Sequence, residues 1–517
     1  MENSLLKMGR FVIYLLSVIK EREDMLKTTG EIIGRKEGEK ILIIAFYPAI
    51  KSVTTSLYKF ESGLSLLKSG HFMRHNVVIG LLLVLSVWAA PFNAPAAETN
   101  APLTLERAIE IALKQNPDVA EAESRMAEAE ARLQAAQAAG RLTIKVRGTY
   151  DYWSEDQRLL AATRNGEPGV FGDQILGAEL VATLPLYTGG RVTAEIEVAD
   201  WTRRAAAEQS VRVRESLVYQ VIAHFYALLA QEEVLRSLET ALRAMEEQEL
   251  TVQSLVAAEK ATRVDLLRIN VRRAELYERQ IRERSIRTAL QYAWAALLGL
   301  EEAAPPVPQG KLEIGEPSLC PDSATCLARA FARRADYRAA RAAVAAAEAA
   351  VRAARAGNRP SLSAQASYGL RWMPDPSDQP DALDRQADFG RIGLVLEFPL
   401  FDGRLTAARV AEQEARLWSA RERLRRLELQ IRSEVESALA DIAAARERVR
   451  TTEKSVGQAE ESFRIVKEKY ELAKATMTDV LDAQAALVAA QTSRARALAD
   501  LAVADARRRL AIGEILP

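Results

Sequence analysis

The chain has 517 residues with 70 basic and 70 acidic side chains, 27% charged residues and only 6% aromatic ones. A net charge of zero gives no electrostatic case for a nucleic-acid partner. The Ala-, Arg- and Glu-rich composition points to extended helices rather than one large core, and two cysteines with three histidines leave little material for a metal cluster.

Residues 1–72 fit nothing downstream. Their apolar runs, such as Phe11 to Ile19 and Ile41 to Ile50, are too short to span a bilayer. Met73-Arg74-His75-Asn76 then precedes the apolar run Val77 to Trp88, and Ala94-Pro95-Ala96 closes the segment with small residues. This is the pattern of a secretory signal peptide over 73–96. The expectation is that translation begins at Met73, with 1–72 an overcalled start or a disordered extension.

Thr104 caps a short helix with Leu105, Ala108, Ile109, Ala112 and Leu113 on one face, and Asn116-Pro117 interrupts it. An Ala-rich helix follows from about Asp118 to Ala139 and stops at Gly140. Leu142, Ile144, Val146, Tyr150 and Tyr152 then alternate with polar residues. A polar loop, Ser154 to Asp173, leads to a returning strand with Leu180, Ala182, Leu184 and Leu186. Arg191 to about Ala258 reads as one long helix carrying Tyr219, Ile222, Phe225, Tyr226 and Leu229 toward a seam, and Val264 to Leu298 as its return. A Pro-rich link at 301–324 holds both cysteines. A second pair of strands follows, Leu362 to Trp372 and Arg391 to Leu400, separated by an acidic, Pro-rich loop. After Asp402-Gly403-Arg404 a helix of roughly 100 Å runs to about Leu472. Its seam, Val435, Ala438, Ile442, Ala445, Val449, Thr452, Val456, Ala459, Phe463, Val466 and Tyr470, steps by threes and fours as in a coiled coil.

The chain says this twice. Leu184-Pro185-Leu186-Tyr187-Thr188-Gly189-Gly190-Arg191 anticipates Phe398-Pro399-Leu400-Phe401-Asp402-Gly403-Arg404, and Ala261-Thr262-Arg263-Val264-Asp265 anticipates Ala475-Thr476-Met477-Thr478-Asp479, both 214 positions apart. Gly299 and Gly513, which end the return helices, are also 214 apart. Asn116-Pro117-Asp118 pairs with Arg334-Ala335-Asp336 at 218. The two repeats are expected at 97–300 and 325–517.

These motifs, in this order and spacing, resemble the TolC family of outer-membrane efflux proteins over nearly all of Leu103 to Gly513. The resemblance implies a mainly α fold with a β-barrel: a homotrimer whose twelve-stranded barrel in outer-membrane lipid continues into a periplasmic α-helical coiled-coil tube. Four alternating strands per chain agree with that, because an open sheet edge in lipid leaves backbone groups unpaired and one chain cannot close a barrel. The implied function is the exit duct of a tripartite efflux or type I secretion system. An inner-membrane pump of RND or ABC type would drive it through a periplasmic adaptor. A soluble sheet beside a coiled coil, making the protein a periplasmic adaptor or scaffold, is the competing reading.

Catalysis has no support. There is no Gly-rich phosphate loop and no histidine partner for a nucleophile, so neither an enzyme nor a cofactor is expected. His224, the only histidine after the leader, is expected to pack or hydrogen-bond. Asp479 and Asp482, three apart past the hairpin tip, would share a helical face and, around a three-fold axis, form carboxylate rings that attract cations. The resemblance matches them to the family's periplasmic constriction; a helix N-terminus favouring acids through its dipole is the alternative. The resemblance also assigns Asp265 and Tyr470 to a network closing the gate. The usual arginine is replaced by Ala475, leaving Arg263 and Lys474 as candidate substitutes. Cys320 and Cys326 could form a local disulfide; zinc would need more ligands.

Overall fold

A computed structural model describes residues 103–300, 307–310, 312, 322–472 and 474–516. The leader, the 1–72 segment and most of the 301–324 link, Cys320 included, lie outside the described residues. The described residues of Thr99–Arg385 and Phe389–Pro517 form one unit.

Local capping chemistry sets the helix boundaries. Thr104 accepts from the Arg107 backbone N–H at 3.4 Å and starts α1 (Leu105–Gln115). Asn116 Oδ1 accepts from Asp118 N at 2.8 Å and starts α2 (Pro117–Ala138), where Pro117 occupies a first turn that needs no N–H. β1 (Thr143–Arg158) and β2 (Phe171–Tyr187) follow, then the 67-residue α3 (Arg191–Ala257) and the 36-residue α4 (Arg263–Leu298). The second half supplies α5 (Ser323–Arg333), α6 (Ala335–Arg355), β3 (Ser361–Trp372), β4 (Gln386–Glu397), α7 (Leu405–Glu471) and α8 (Met477–Ile512). The offset holds to the residue. α7 and α8 have the same 67 and 36 residues as α3 and α4 and start 214 positions later.

The strands form one antiparallel sheet in the order β1-β2-β3-β4, so the β2–β3 pair joins the two repeats and β1 and β4 are its edges. Register decides which face each side chain takes, because directly paired residues share a face. Ile144 pairs with Ala182 and Ala182 with Ala366; Val146 pairs with Leu180 and Leu180 with Tyr368; Tyr150 pairs with Leu176 and Leu176 with Trp372. One apolar face thus runs across three strands. The other carries Lys145, Arg147, Glu179, Ser367 and Arg371, with Arg147 bonded to Glu179 at 3.1 Å. On β4, Ile392, Leu394 and Leu396 stand 68, 68 and 69% exposed, an apolar surface left open among the described residues.

The strands correct the expected boundaries. β1 and β2 have 16 and 17 residues rather than about ten. They continue through Glu155 and Gln157 on one side and from Phe171 on the other, ground assigned to the loop. β4 likewise begins at Gln386, before the expected Arg391, and ends at Glu397. Alternation signals a strand only while one face is apolar; past that point the strands run on without it, β1 through a register shift between Tyr152 and Gln157.

The helices pack around repeated sockets. In the first, Ala108 and Ala112 of α1 meet Leu217, Val221, Phe225 and Leu228 of α3 and Trp294 and Leu298 of α4. In the second, Cys326 and Ala330 of α5 meet Ile431, Val435 and Ala438 of α7 and Ala511 and Ile512 of α8. Small side chains on the short helix allow this close approach. Both return helices end on a left-handed glycine, Gly299 (φ 71°) and Gly513 (φ 74°), pressed against the α1–α2 and α5–α6 junctions. A Cβ on Gly299 would lie 2.4 Å from the Gln115 carbonyl oxygen, and one on Gly513 3.0 Å from Arg334 N, so backbone angle and close approach both require glycine.

Candidate functional site

At the far end of the hairpins, each return helix opens with the same device. Thr262 Oγ1 accepts from Asp265 N at 3.2 Å while Asp265 Oδ2 accepts from Thr262 N at 3.3 Å; Thr476 and Asp479 repeat this at 3.3 and 2.8 Å. Each is a capping box, satisfying two backbone donors that a helix start leaves open. The hydrogen bonds from Thr476 hold the Asp479 carboxyl below the usual carboxylate range. Asp265 and Asp479 therefore occupy one structural position, 214 apart, and each carboxylate is engaged at its own helix start. Asp482, one turn further on, is exposed and outside the box.

A shared core fastens the two hairpins just behind these caps. Met477, Val480 and Leu481 of α8 are buried with Val252 of α3 and Ile269 of α4, and Phe463, Val466 and Tyr470 of α7 pack against them. Gln484 donates to the Ala241 carbonyl oxygen at 3.2 Å, crossing from α8 to α3. Tyr470 is half-buried here. Burial, and then the nearby charge of Asp265, push its phenol above the ordinary value. Arg263 and Lys474 are exposed, and among the described residues neither makes an ion pair.

At this end a different cation crosses between the hairpins, Arg268. Its Nη1 donates to Thr478 Oγ1 at 2.9 Å, spanning 210 positions of sequence, and lies 4.0 Å from Asp265. Sequence reasoning missed it because an arginine on a charged helix face looks like any other. The available signal was its place one turn after the Thr262–Asp265 box. Arg268, Thr478 and Asp482 line a groove of about 450 Å³ between α4 and α8, floored by Val264, Leu267 and Leu481.

Elsewhere, His224 Nδ1 lies 3.0 Å from the Gln220 carbonyl oxygen. Cys326 is fully buried and is not a free thiol. Among the described residues no group of His, Cys, Asp and Glu could hold a metal, and no helix is long and apolar enough to cross a membrane.

A family model described as "Outer membrane efflux protein" matches residues 108–300 and 326–514, one stretch for each repeat. The chain belongs to the outer membrane efflux protein family. It is 24% identical over 206 residues to the outer membrane efflux protein BepC of Brucella suis biovar 1, a match spanning 40% of this chain and 43% of BepC. Among solved structures, it is similar to CusC with a TM-score of 0.67 and 19% identity, covering 79% of this chain and 92% of that one. It is similar also to VceC of Vibrio cholerae, at 0.64 and 20%, covering 79% and 96%. The MtrE outer-membrane channel of Neisseria gonorrhoeae gives 0.65 and 20%, covering 80% and 89%. The likeness fixes the fold as that of the outer-membrane efflux channels, a sheet that contributes to a barrel joined to a helical tube.

Proposed function

We propose that three copies of this chain form a passive exit duct. Their sheets would join edge to edge, β4 of one copy to β1 of the next, into a twelve-stranded barrel in the outer membrane. Their hairpins would form a periplasmic tube, with residues 97–300 and 325–517 as the two repeats of each copy. The observation that carries this is the register-aligned apolar face with two open edges: in lipid those edges need partners, and identical chains supply them.

Energy comes from outside, through a periplasmic adaptor and an inner-membrane pump of RND or ABC type, serving efflux or type I secretion. The hairpin ends carry the gate. Asp482 faces the conduit at its narrow end, and Asp479, committed to its capping box, stiffens the helix that presents it. Asp265 and Tyr470 form the contact between hairpins, with Arg263 and Lys474 as accessory cations. A Cys320–Cys326 disulfide pins the link between repeats beside α5.

Membrane fractionation with gel migration tests this reading. Recovery in the outer membrane, with a band whose mobility changes on heating, is the expected result. A protein that stays soluble without detergent would give way to a periplasmic scaffold.

A further inference from the structure

The repeat offset places Arg268 of the first hairpin and Asp482 of the second at equivalent positions, since both lie 214 apart like the capping boxes they follow. Opposite charges therefore stand where the two halves of the chain are otherwise alike. Thr478 and Asp482 are one turn apart on α8, a rise of about 6 Å, and so share a face. The hydrogen bond from Arg268 to Thr478 fixes the guanidinium at one end of that turn, with Asp482 at the other. This separation is shorter than the screening length of about 8 Å at physiological salt.

Among the neighbouring charges, those of the groove wall and of the caps have partners, whereas Arg263 and Lys474 are exposed and, among the described residues, make no ion pair. Arg272 is paired with Glu275 at 2.6 Å, and Asp265 and Asp479 are bound into their capping boxes at positive helix ends. Arg268, Arg272, Glu275 and Asp482 all line the groove, two charges of each sign, and Arg268 also lies 4.0 Å from Asp265.

Resting on the reading that the hairpin ends line the conduit, we infer that Arg268 makes the periplasmic mouth charge-balanced. Six hairpins from three copies present arginine and aspartate alternately at one level, in place of a ring of carboxylates alone. A carboxylate ring repels anions; an alternating ring does not. The cargo class that such a mouth admits includes anionic and zwitterionic solutes as well as cations.

Reversal potentials in a KCl gradient, measured on the purified full-length protein in planar bilayers, test this. The wild type should show cation and anion permeabilities within about two-fold of each other, and Arg268→Gln should raise the cation preference by roughly three-fold or more. Asp482→Asn should carry the channel past neutrality into anion selectivity, and Arg268→Lys should match the wild type. If Arg268→Gln does not assemble, Asp482→Asn still decides: a strongly cation-selective wild type that becomes merely unselective in this variant overturns the inference. Channels with the same reversal potential in wild type and Arg268→Gln overturn it as well, and leave the duct standing. A wild type that never conducts removes the duct and the inference together.

Discussion

At the junction of its two short helices the first repeat places Asn116, and at the matching junction the second places Arg334. Both side chains donate to the return helix at equivalent carbonyls: Asn116 Nδ2 to Leu297 at 2.9 Å, Arg334 Nη1 to Ala511 at 3.3 Å. Their surroundings differ. Around the first lie Phe225 and Trp294, their rings 5.9 Å apart, and Asn116 also caps α2. Around the second, Arg334 is fully buried and bridges Asp336 and Glu434, each at 2.6 Å, while Arg508 takes the place of Trp294 and pairs with Asp505 at 2.8 Å. One backbone arrangement thus carries a ring pair in both halves, Phe331 and Tyr337 lying 5.1 Å apart in the second, and adds an ion cluster around the buried Arg334 in the second alone. The geometry is set by glycine and by the caps, and the chemistry filling it is free to diverge. A buried cluster of this kind carries its own liability, because removing one member strands the others.

That asymmetry predicts unequal costs. Arg334→Ala should destabilise the solubilised protein by about 3–5 kcal/mol, since it removes the buried cation that Asp336 and Glu434 share. Asn116→Ala should cost about 1–2 kcal/mol for a cap and one hydrogen bond. Denaturant unfolding would read both, and equal losses would contradict the comparison.

The glycines test what the two halves share. Gly299→Ala and Gly513→Ala should each lose about 2 kcal/mol or more through left-handed backbone and overlap, Gly299 more because its clash is closer. Gly457, in mid-α7 with open space around it, should instead gain about 0.5–1 kcal/mol as alanine.

Acid gives the smallest difference. Burial alone would raise the Asp336 carboxyl, but hydrogen bonds and charge from Arg334, with Arg212 beyond, hold it below its usual range. Its folded value being depressed, its contribution is complete above the unfolded value of about 4 and is lost as pH falls through the folded one. The acid limb of the stability profile should flatten in Asp336→Asn; an unchanged limb would mean the cluster does not titrate there.

Short-range chemistry made much of this legible in the sequence. Thr262, Thr476, Gly299, Gly513 and Asn116-Pro117 act within a few residues, so helix ends and the repeat could be read directly, and the seam from Val435 to Tyr470 follows from its spacing. Strand ends could not: beyond Tyr152 the apolar alternation stops and the register shifts before pairing resumes at Gln157. The candidate site was half legible. Asp265 and Asp479 were found as acids at a tip, whereas their engagement in caps required atomic distances. What Arg268 and Arg334 reach across the fold was hidden, because Thr478 lies 210 positions from the first and Glu434 100 from the second.

The central claim is that the two halves, repeated in three copies, build a conduit. Planar-bilayer conductance of the purified protein, with its oligomeric mass determined in the same detergent, tests it most directly. A trimer that inserts and gives discrete channels is the predicted result. A monomer, or a trimer that never conducts, would contradict it.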